Sequence, residues 1–131
     1  MNKENKSISK SPWGKYEVLL NDANCKVKKI TVKPKTRLSY QSHKKRAEVW
    51  VVISGEGLLT QEEKTTPVKH AAIVMIPYES KHRIENTHET EDLVFIETQI
   101  GTYFGEDDIT RYEDDYGRHL DNWVDCDADL L

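Results

Sequence analysis

Residues 41–55 read QSHKKRAEVWVVISG, with mostly polar side chains in the first half and mostly apolar side chains in the second. Gln41 and His43 are two positions apart on a predicted strand, so their side chains leave the same face. Glu48 has the opposite parity, and it joins them only if residues 44–47 form a loop and Glu48 begins the next strand. Residues 44–47 are polar enough for such a loop. The stretch therefore predicts two strands that can aim three polar side chains into one interior.

Short β-type runs surround this stretch, and turn residues separate them. Val49–Ile53 is apolar at every position, which predicts a strand covered on both faces. The other predicted strands are Tyr16–Leu20, Lys26–Val32, Leu38–His43, Leu58–Gln61, Pro67–His70, Ala72–Ile76, His82–Asn86 and Leu93–Gln99. Short strands at spacings of roughly 8–12 residues are typical of an all-β sandwich or barrel. In a small barrel, His82 can reach the same interior as Gln41 and His43.

The composition limits the function classes. A chain of 131 residues suits one domain with its own core. The net charge of −4 argues against a general nucleic-acid-binding protein. No apolar run approaches the about 20 residues of a membrane span, and we expect no signal peptide because the first residues contain no apolar segment. Cys25 and Cys126 lack CxxC spacing, so we expect free thiols in the cytoplasm, although one disulfide is formally possible.

The composition changes at both ends of the chain. Residues 1–10 are rich in Lys, Asn, Ser and Glu, which predicts a flexible tail with order beginning at Ser11. Residues 105–131 are acidic and predict a short irregular or helical segment lying over the barrel. The predicted organisation is a tail at 1–10, one domain at 11–119 and an acidic tail at 120–131.

Four residues form the candidate metal site: Gln41, His43, Glu48 and His82. One amide oxygen, two imidazoles and one carboxylate form a mixed set that suits Zn²⁺, Mn²⁺, Fe²⁺ or Co²⁺. A histidine or glutamate inside an apolar barrel otherwise carries a desolvation cost. Spacing alone leaves open that both histidines are ordinary surface or hydrogen-bonded residues.

Gln41-x-His43-x4-Glu48-x6-Gly55 resembles the first motif of the cupin superfamily, with Gln in place of its first His. Pro77-x4-His82-x3-Asn86 resembles the second motif. Gln in the first position is a feature of phosphomannose isomerase metal sites. Residues 11–119 further resemble the type II mannose-6-phosphate isomerases, often found as the C-terminal domain of bifunctional mannose-1-phosphate guanylyltransferases. The segments that carry this resemblance are Ser11–Tyr16, Lys28–Pro34, Arg37–Ser39, Arg46–Gly55, Gly101–Ile109 and Asp114–Arg118.

The chain departs from the family pattern at several positions. Lys35 and Glu79 stand where the family usually has Gly, which implies altered turns because Gly adopts positive φ at little cost. Lys44, Lys45 and Val49 replace histidines that are common in the family. The guanylyltransferase domain is absent from this sequence, so guanylyl transfer is not expected of it.

The resemblance implies a cupin-type double-stranded β-helix, which is a jelly-roll barrel, with a divalent metal held by the four candidate ligands. We expect zinc first among Zn, Mn, Fe and Co. The implied reaction interconverts mannose 6-phosphate and fructose 6-phosphate through an enediol, with the metal stabilising the developing negative charge. A separate acid or base must move the proton. Our candidate is Glu106 with Arg111 as its charge partner, and the alternative is that Glu106 caps a surface turn.

The sugar phosphate is the expected partner, and Lys45 and Arg46 are the candidate phosphate-binding residues. Their alternative is a solvated basic edge. A non-catalytic cupin that binds a sugar phosphate or nucleotide sugar is the main alternative function. A cupin oxygenase is a weaker one, because Gln41 and the isomerase-like C-terminal segment argue against it. We also expect a cytoplasmic homodimer, with Val49–Ile53 buried by a neighbouring copy or enclosed within one chain, and no nucleic-acid or membrane partner.

Overall fold

The structure, a computed structural model, describes residues 7–120, and this range contains only strands, turns and loops. None of its segments is a helix long and apolar enough to cross a membrane. The prediction of an all-β domain is confirmed. The eleven strands are β1 Ser7–Ser11, β2 Gly14–Asn21, β3 Cys25–Val32, β4 Tyr40–Ser42, β5 Arg46–Ser54, β6 Glu56–Gln61, β7 Lys64–Lys69, β8 Ile73–Ile76, β9 His82–Glu85, β10 Leu93–Gly101 and β11 Thr110–Glu113.

The strands form two sheets. The six-stranded sheet has the order β1-β2-β3-β10-β5-β8, and the five-stranded sheet has the order β11-β4-β9-β6-β7. Strand β10 pairs antiparallel with both β3 and β5, which lie far from it in sequence. Strand β4 pairs with β9 and β11 in the other sheet. Gln41 and His82 thus come from the five-stranded sheet, and Glu48 comes from the six-stranded sheet.

The interior changes from apolar to polar along the strands. The buried residues of β10 show this: Leu93, Phe95, Glu97 and Gln99 alternate with partly exposed neighbours. The apolar part of the interior contains Trp50, whose ring lies 4.7 Å from that of Phe95, measured between centroids. The same alternation on β5 turns Glu48 inward beside Trp50. The apolar core therefore ends where the polar side chains of the candidate site begin.

The turns at Lys35 and Glu79 keep the backbone conformation that glycine would adopt. Their φ angles are +59° and +63°, both in the left-handed region. The expectation of altered turns is therefore wrong in backbone terms. The left-handed conformation costs a non-glycine residue roughly 1–2 kcal/mol, a penalty that the surrounding sheets can sustain.

The N-terminal end of the domain differs from the sequence-based expectation, whereas the described part of the C-terminal segment is irregular rather than helical. Residues 7–10, predicted as part of a tail, belong to β1, which pairs with β2 at the edge of the larger sheet. An edge strand over solvent needs few apolar side chains, so its polar sequence resembled a tail. Residues 105–120 contain turns and β11 but no helix. Residues 1–6 and 121–131, including Cys126, lie outside the described residues, as does most of the predicted acidic tail.

The outer face of β5, β8 and β10 is apolar and exposed. Strand β5 begins at Arg46, earlier than predicted, and its inward side chains are buried. Its outward side chains are not: Val51 is 38% exposed and Ile53 is 52% exposed. Ile73, Met75 and Ile100 on the adjacent strands extend this patch. Coverage of Val49–Ile53 on both faces is therefore wrong for one chain, and the homodimer stays a prediction with this patch as its interface.

If a second copy covers the patch, the wild-type protein has twice the 15.2 kDa mass of one chain. Ile73→Lys should then give a monomer, because it buries a charge in an apolar interface. The exposed Leu20 of β2 lies outside the patch, so Leu20→Lys is the matched control and should leave the mass unchanged. Light scattering at micromolar protein concentration gives the mass of the wild type and of both variants. A monomeric wild type would contradict the prediction.

Candidate metal centre

Three elements bring the candidate ligands together. Gln41 lies on β4, and His43 follows the end of that strand. His82 begins β9 and is the direct cross-strand partner of Gln41. Glu48 comes from β5 in the opposite sheet. All four side chains line the same interior cavity, and each of the four residues is at most 6% exposed.

The carboxylate of Glu48 lies between the two imidazoles. Its Oε2 is 3.4 Å from His43 Nε2, and its Oε1 is 3.9 Å from His82 Nε2. One potential ligand atom from each of the three residues lies within 4.8 Å of the others. A metal about 2 Å from each ligand holds ligand atoms roughly 3–4 Å apart. The cluster is therefore close to the size that could hold a divalent ion.

Backbone carbonyls fix the orientation of both imidazoles. His43 Nδ1 donates to the carbonyl of Asp108 over 2.7 Å, and His82 Nδ1 donates to the carbonyl of Ser80 over 2.9 Å. Since a carbonyl can only accept, both Nδ1 atoms carry the proton. The unprotonated Nε2 atoms then point towards Glu48. Metal-binding histidines typically have such an arrangement around them.

Burial keeps the imidazoles neutral, which is the form that binds a metal. It lowers the pKa of His43 to about 4, although the Glu48 carboxylate acts in the opposite direction. Burial also lowers the pKa of His82. Both rings are therefore uncharged near pH 7.

Glu48 remains a carboxylate despite full burial. Desolvation alone would raise its pKa, but the Arg46 guanidinium, together with the two imidazoles once they are protonated at low pH, holds the pKa well below the usual range. Arg46 Nε donates to Glu48 Oε2 over 2.8 Å, and Trp50 Nε1 donates to Oε1 over 2.9 Å. These two donors set the plane of the carboxylate between the histidines.

Gln41 completes the predicted set from the β4 side. Its Nε2 donates to Ser39 Oγ over 3.1 Å and to the Ser39 carbonyl over 3.3 Å. The amide oxygen is then the atom left to act as an acceptor or ligand. Three sequence-predicted ligands thus form one tight cluster, with Gln41 beside it.

The C-terminal segment holds in place the loop of residues 43–45 between β4 and β5, here called the ligand loop. The Asp108 carboxylate accepts hydrogen bonds from the backbone N–H groups of Lys44 and Lys45, over 3.0 and 2.9 Å. Burial would raise the pKa of Asp108, but these two bonds lower it. The Asp108 carbonyl also accepts a hydrogen bond from the candidate ligand His43. Asp108 therefore fixes both the loop backbone and this imidazole.

The two predicted phosphate-binding residues lie in different environments. Arg46 is 3% exposed and lines the cavity, with Nη2 only 3.1 Å from His43 Nε2. It is therefore not part of a solvated basic edge. Lys45 is exposed, and its ammonium lies over the ring of Tyr103, 5.1 Å from the centroid.

The predicted acid–base residues are Glu106 and Arg111. Glu106 Oε1 is 2.7 Å from Lys28 Nζ and 3.8 Å from Lys26 Nζ. Arg111 lies on β11, directly opposite Gln41 of β4. Glu106 thus belongs to a buried ion pair, and its predicted role as a base stays a prediction.

Sequence reasoning missed two charged residues of the cavity, Lys28 and Glu97. Lys28 lies on the same inward face of β3 as Ile30, and Glu97 lies on the same inward face of β10 as Phe95. A charged residue at an inward position was the available signal. Glu97 accepts a hydrogen bond from Gln99 over 2.7 Å, and burial together with the Glu48 carboxylate raises the pKa of Glu97 to about 8.

The cavity has a volume of about 30 Å³. Its walls include aromatic and aliphatic side chains as well as the polar cluster. A buried water molecule needs about 10–15 Å³ of such space. The cavity therefore has room for an ion or about two water molecules beside the cluster.

A family model described as mannose-6-phosphate isomerase C-terminal matches residues 2–114. The alginate biosynthesis protein AlgA of Pseudomonas aeruginosa is 46% identical over 107 residues, which are 82% of this chain and 22% of that protein. The xanthan biosynthesis protein XanB of Xanthomonas campestris is 43% identical over 107 residues, which are 82% of this chain and 23% of that protein. The chain therefore spans about a fifth of the length of these curated relatives.

A solved structure supports the fold assignment. A conserved protein with a double-stranded β-helix domain from Klebsiella pneumoniae superposes with a TM-score of 0.66 and 19% identity. The match covers 86% of this chain and 84% of that one. The prediction of a double-stranded β-helix is confirmed.

Replacing His82 with Ala should remove the metal while leaving the fold intact. The apolar core between the sheets does not depend on this imidazole, whereas the cluster would lose one of its two nitrogens. Metal content by elemental analysis and thermal unfolding by circular dichroism measure the two effects. The exposed His70 provides the control His70→Ala, which should keep the metal. Unchanged metal content in the His82 variant would overturn the ligand assignment.

In the metal-free protein, the contribution of His43 to stability should fall as the pH falls from 7 to 5. His43 titrates near its ordinary value of 6.5 when unfolded and near 4 when folded. At this residue the unfolded chain binds more protons in this window, which lowers the free energy of unfolding with falling pH. Glu97, whose pKa is raised to about 8, acts in the opposite direction, so the comparison with a His43 variant isolates the histidine. Urea unfolding at pH 7, 6 and 5 measures the slope. His43→Gln should reduce this slope, and an equal slope in the variant would contradict the assignment.

Proposed function

The chain belongs to the mannose-6-phosphate isomerase C-terminal family, and on this basis we propose that it interconverts mannose 6-phosphate and fructose 6-phosphate with a bound divalent metal. The observation that carries the proposal is the buried cluster of His43, Glu48 and His82, whose potential ligand atoms lie within 4.8 Å of one another. Two neutral imidazoles around an ionised carboxylate form a donor set for zinc and related ions. Gln41 is proposed as the fourth ligand.

The residues around the cluster fit such an ion. Both Nδ1 atoms are already engaged with carbonyls, so each imidazole can offer only Nε2. Once bound, the metal would supply a Lewis acid that stabilises negative charge on the sugar oxygens. Each candidate ligand is at most 6% exposed, and such burial strengthens electrostatic interactions at the cluster.

The chain's own residues supply the remaining functions. Arg46 holds the Glu48 carboxylate in position and contributes positive charge to the cavity. We propose that Arg46 and Lys45 meet the phosphate, Lys45 from the exposed loop and Arg46 from the cavity wall. For the proton transfer between C1 and C2 we keep the predicted base Glu106 with Arg111. The expected cytoplasmic location is consistent with a sugar-phosphate substrate.

The names of the relatives suggest a biological context. AlgA and XanB are described as alginate and xanthan biosynthesis proteins. We propose that this chain likewise acts on hexose phosphates that feed polysaccharide synthesis.

One observation favours a second candidate, a cupin that binds a sugar phosphate without turning it over. Arg46 Nη2 lies within hydrogen-bond distance of His43 Nε2, the nitrogen that a metal would need. A guanidinium held there competes with the ion for the same lone pair. In this alternative the cavity binds its ligand through Arg46 and its neighbours, and the metal site stays weak.

A coupled assay on metal-reconstituted protein distinguishes the two functions. The isomerase proposal predicts production of fructose 6-phosphate from mannose 6-phosphate, loss of activity with chelator and recovery with a divalent ion. Glu48→Gln should lower kcat/KM at least about 100-fold because it removes the central carboxylate ligand. His70→Ala is the matched control and should retain activity.

The other outcomes separate the alternatives. A metal-loaded protein that shows a thermal shift with mannose 6-phosphate but no turnover would support the binding function. A metal-loaded protein that shows neither would contradict both.

A further inference from the structure

Lys28 occupies a position that packing alone would give to an aliphatic residue. It lies on β3 with the inward parity of Ile30 and Val32, and it is 1% exposed. Burying an ammonium group costs several kcal/mol unless partners compensate, so a lysine here has a reason beyond filling space. Lys28 lines the same cavity as His43, Glu48 and His82.

The contacts of Lys28 hold its ammonium group in one place. Nζ is 2.7 Å from Glu106 Oε1 and 4.1 Å from the centroid of the Tyr16 ring. An ammonium has three N–H donors, and the bond to Glu106 uses one of them. Glu106 Oε2 is buried without a hydrogen-bond partner. The pair therefore presents donors at the cavity wall and an unused acceptor beside them.

We propose that Lys28 is a substrate-binding residue that donates hydrogen bonds to sugar oxygens, and that Glu106 positions its ammonium. The inference rests on the proposed function and extends it by assigning a binding group for the carbon chain of the hexose phosphate. The ligand atoms are hydroxyl or carbonyl oxygens rather than the phosphate. The Glu106 carboxylate beside the ammonium repels a phosphate dianion but not a hydroxyl group. Lys26 also approaches this carboxylate, at 3.8 Å, but its side chain is partly exposed and lies outside the cavity lining.

This role differs from the base predicted for Glu106, because Glu106 here acts through Lys28. It also differs from a purely structural role, in which the pair only fastens residues 105–108 to the barrel. In a purely structural role, removing only one of the two charges lowers stability, because the other charge is left buried and unpaired. Replacing both by apolar side chains leaves stability nearly unchanged. Substrate binding depends on the ammonium itself.

The experiment compares Lys28→Met with the double variant Lys28→Met/Glu106→Met. We expect the single variant to raise KM for mannose 6-phosphate at least about tenfold with unchanged metal content, because a charge-assisted hydrogen bond is lost. The double variant should recover thermal stability yet keep the raised KM. A double variant with wild-type KM would show that the pair is structural and would overturn the inference.

Lys26→Met is the matched control. Lys26 approaches the same Glu106 oxygen at 3.8 Å, but its side chain is 15% exposed and it lies outside the cavity lining. Its replacement should change KM by less than about twofold, as expected for a partly exposed pair. A KM increase equal to that of Lys28→Met would contradict a specific role for Lys28.

Two further measurements separate this inference from the proposed function. If wild-type protein binds mannose 6-phosphate without turnover, the isomerase proposal fails, and the dissociation constant from calorimetry replaces KM in the same comparison. If it neither binds nor turns over the sugar phosphate, both fail. Inorganic phosphate should stabilise wild type and Lys28→Met equally against heat. A smaller effect in the variant would overturn the hydroxyl assignment.

Discussion

The buried carboxylate of Glu48 is the constraint around which the domain is organised. A fully buried carboxylate is unfavourable unless donors and positive charge surround it. Arg46 and Trp50 supply the donors, and both belong to the same strand as Glu48. The two histidines approach from the opposite sheet. The two sheets must therefore pack in one arrangement, because only then do the donors and the histidines both surround the buried carboxylate.

The C-terminal segment belongs to the same electrostatic arrangement. Asp108 binds the backbone of the ligand loop and the imidazole of His43. Glu106, two residues earlier, neutralises Lys28 in the barrel interior. The segment thus connects two walls of one cavity. The segment therefore contacts the candidate ligand His43 through a hydrogen bond rather than through the apolar core.

The sequence predicted most of the fold because its signals are local. Nine strands were predicted from alternation and turn residues, with boundaries that differ from the structure by a few residues. Strands β1 and β11 were missed because both lie at sheet edges, where a strand needs only backbone partners on one side and few apolar side chains. The outward face of Val49–Ile53 was read as covered because apolarity shows that burial is favoured but not which surface provides it. Val51 and Ile53 are exposed, so no surface formed by residues 7–120 covers them.

For the site, the sequence by itself determined the ligand types and, through their spacing and flanking motifs, the family. Only the tertiary structure decided which groups share the cavity. Lys28 and Glu97 are separated by most of the chain, yet both line the cavity because β3 and β10 are paired neighbours. The sequence left open whether Arg46 binds a phosphate or lies on a solvated basic edge, and in the structure β5 turns it inward against Glu48. The physical reason is that strand parity fixes the face of each side chain locally, whereas sheet pairing decides which distant residues meet on that face.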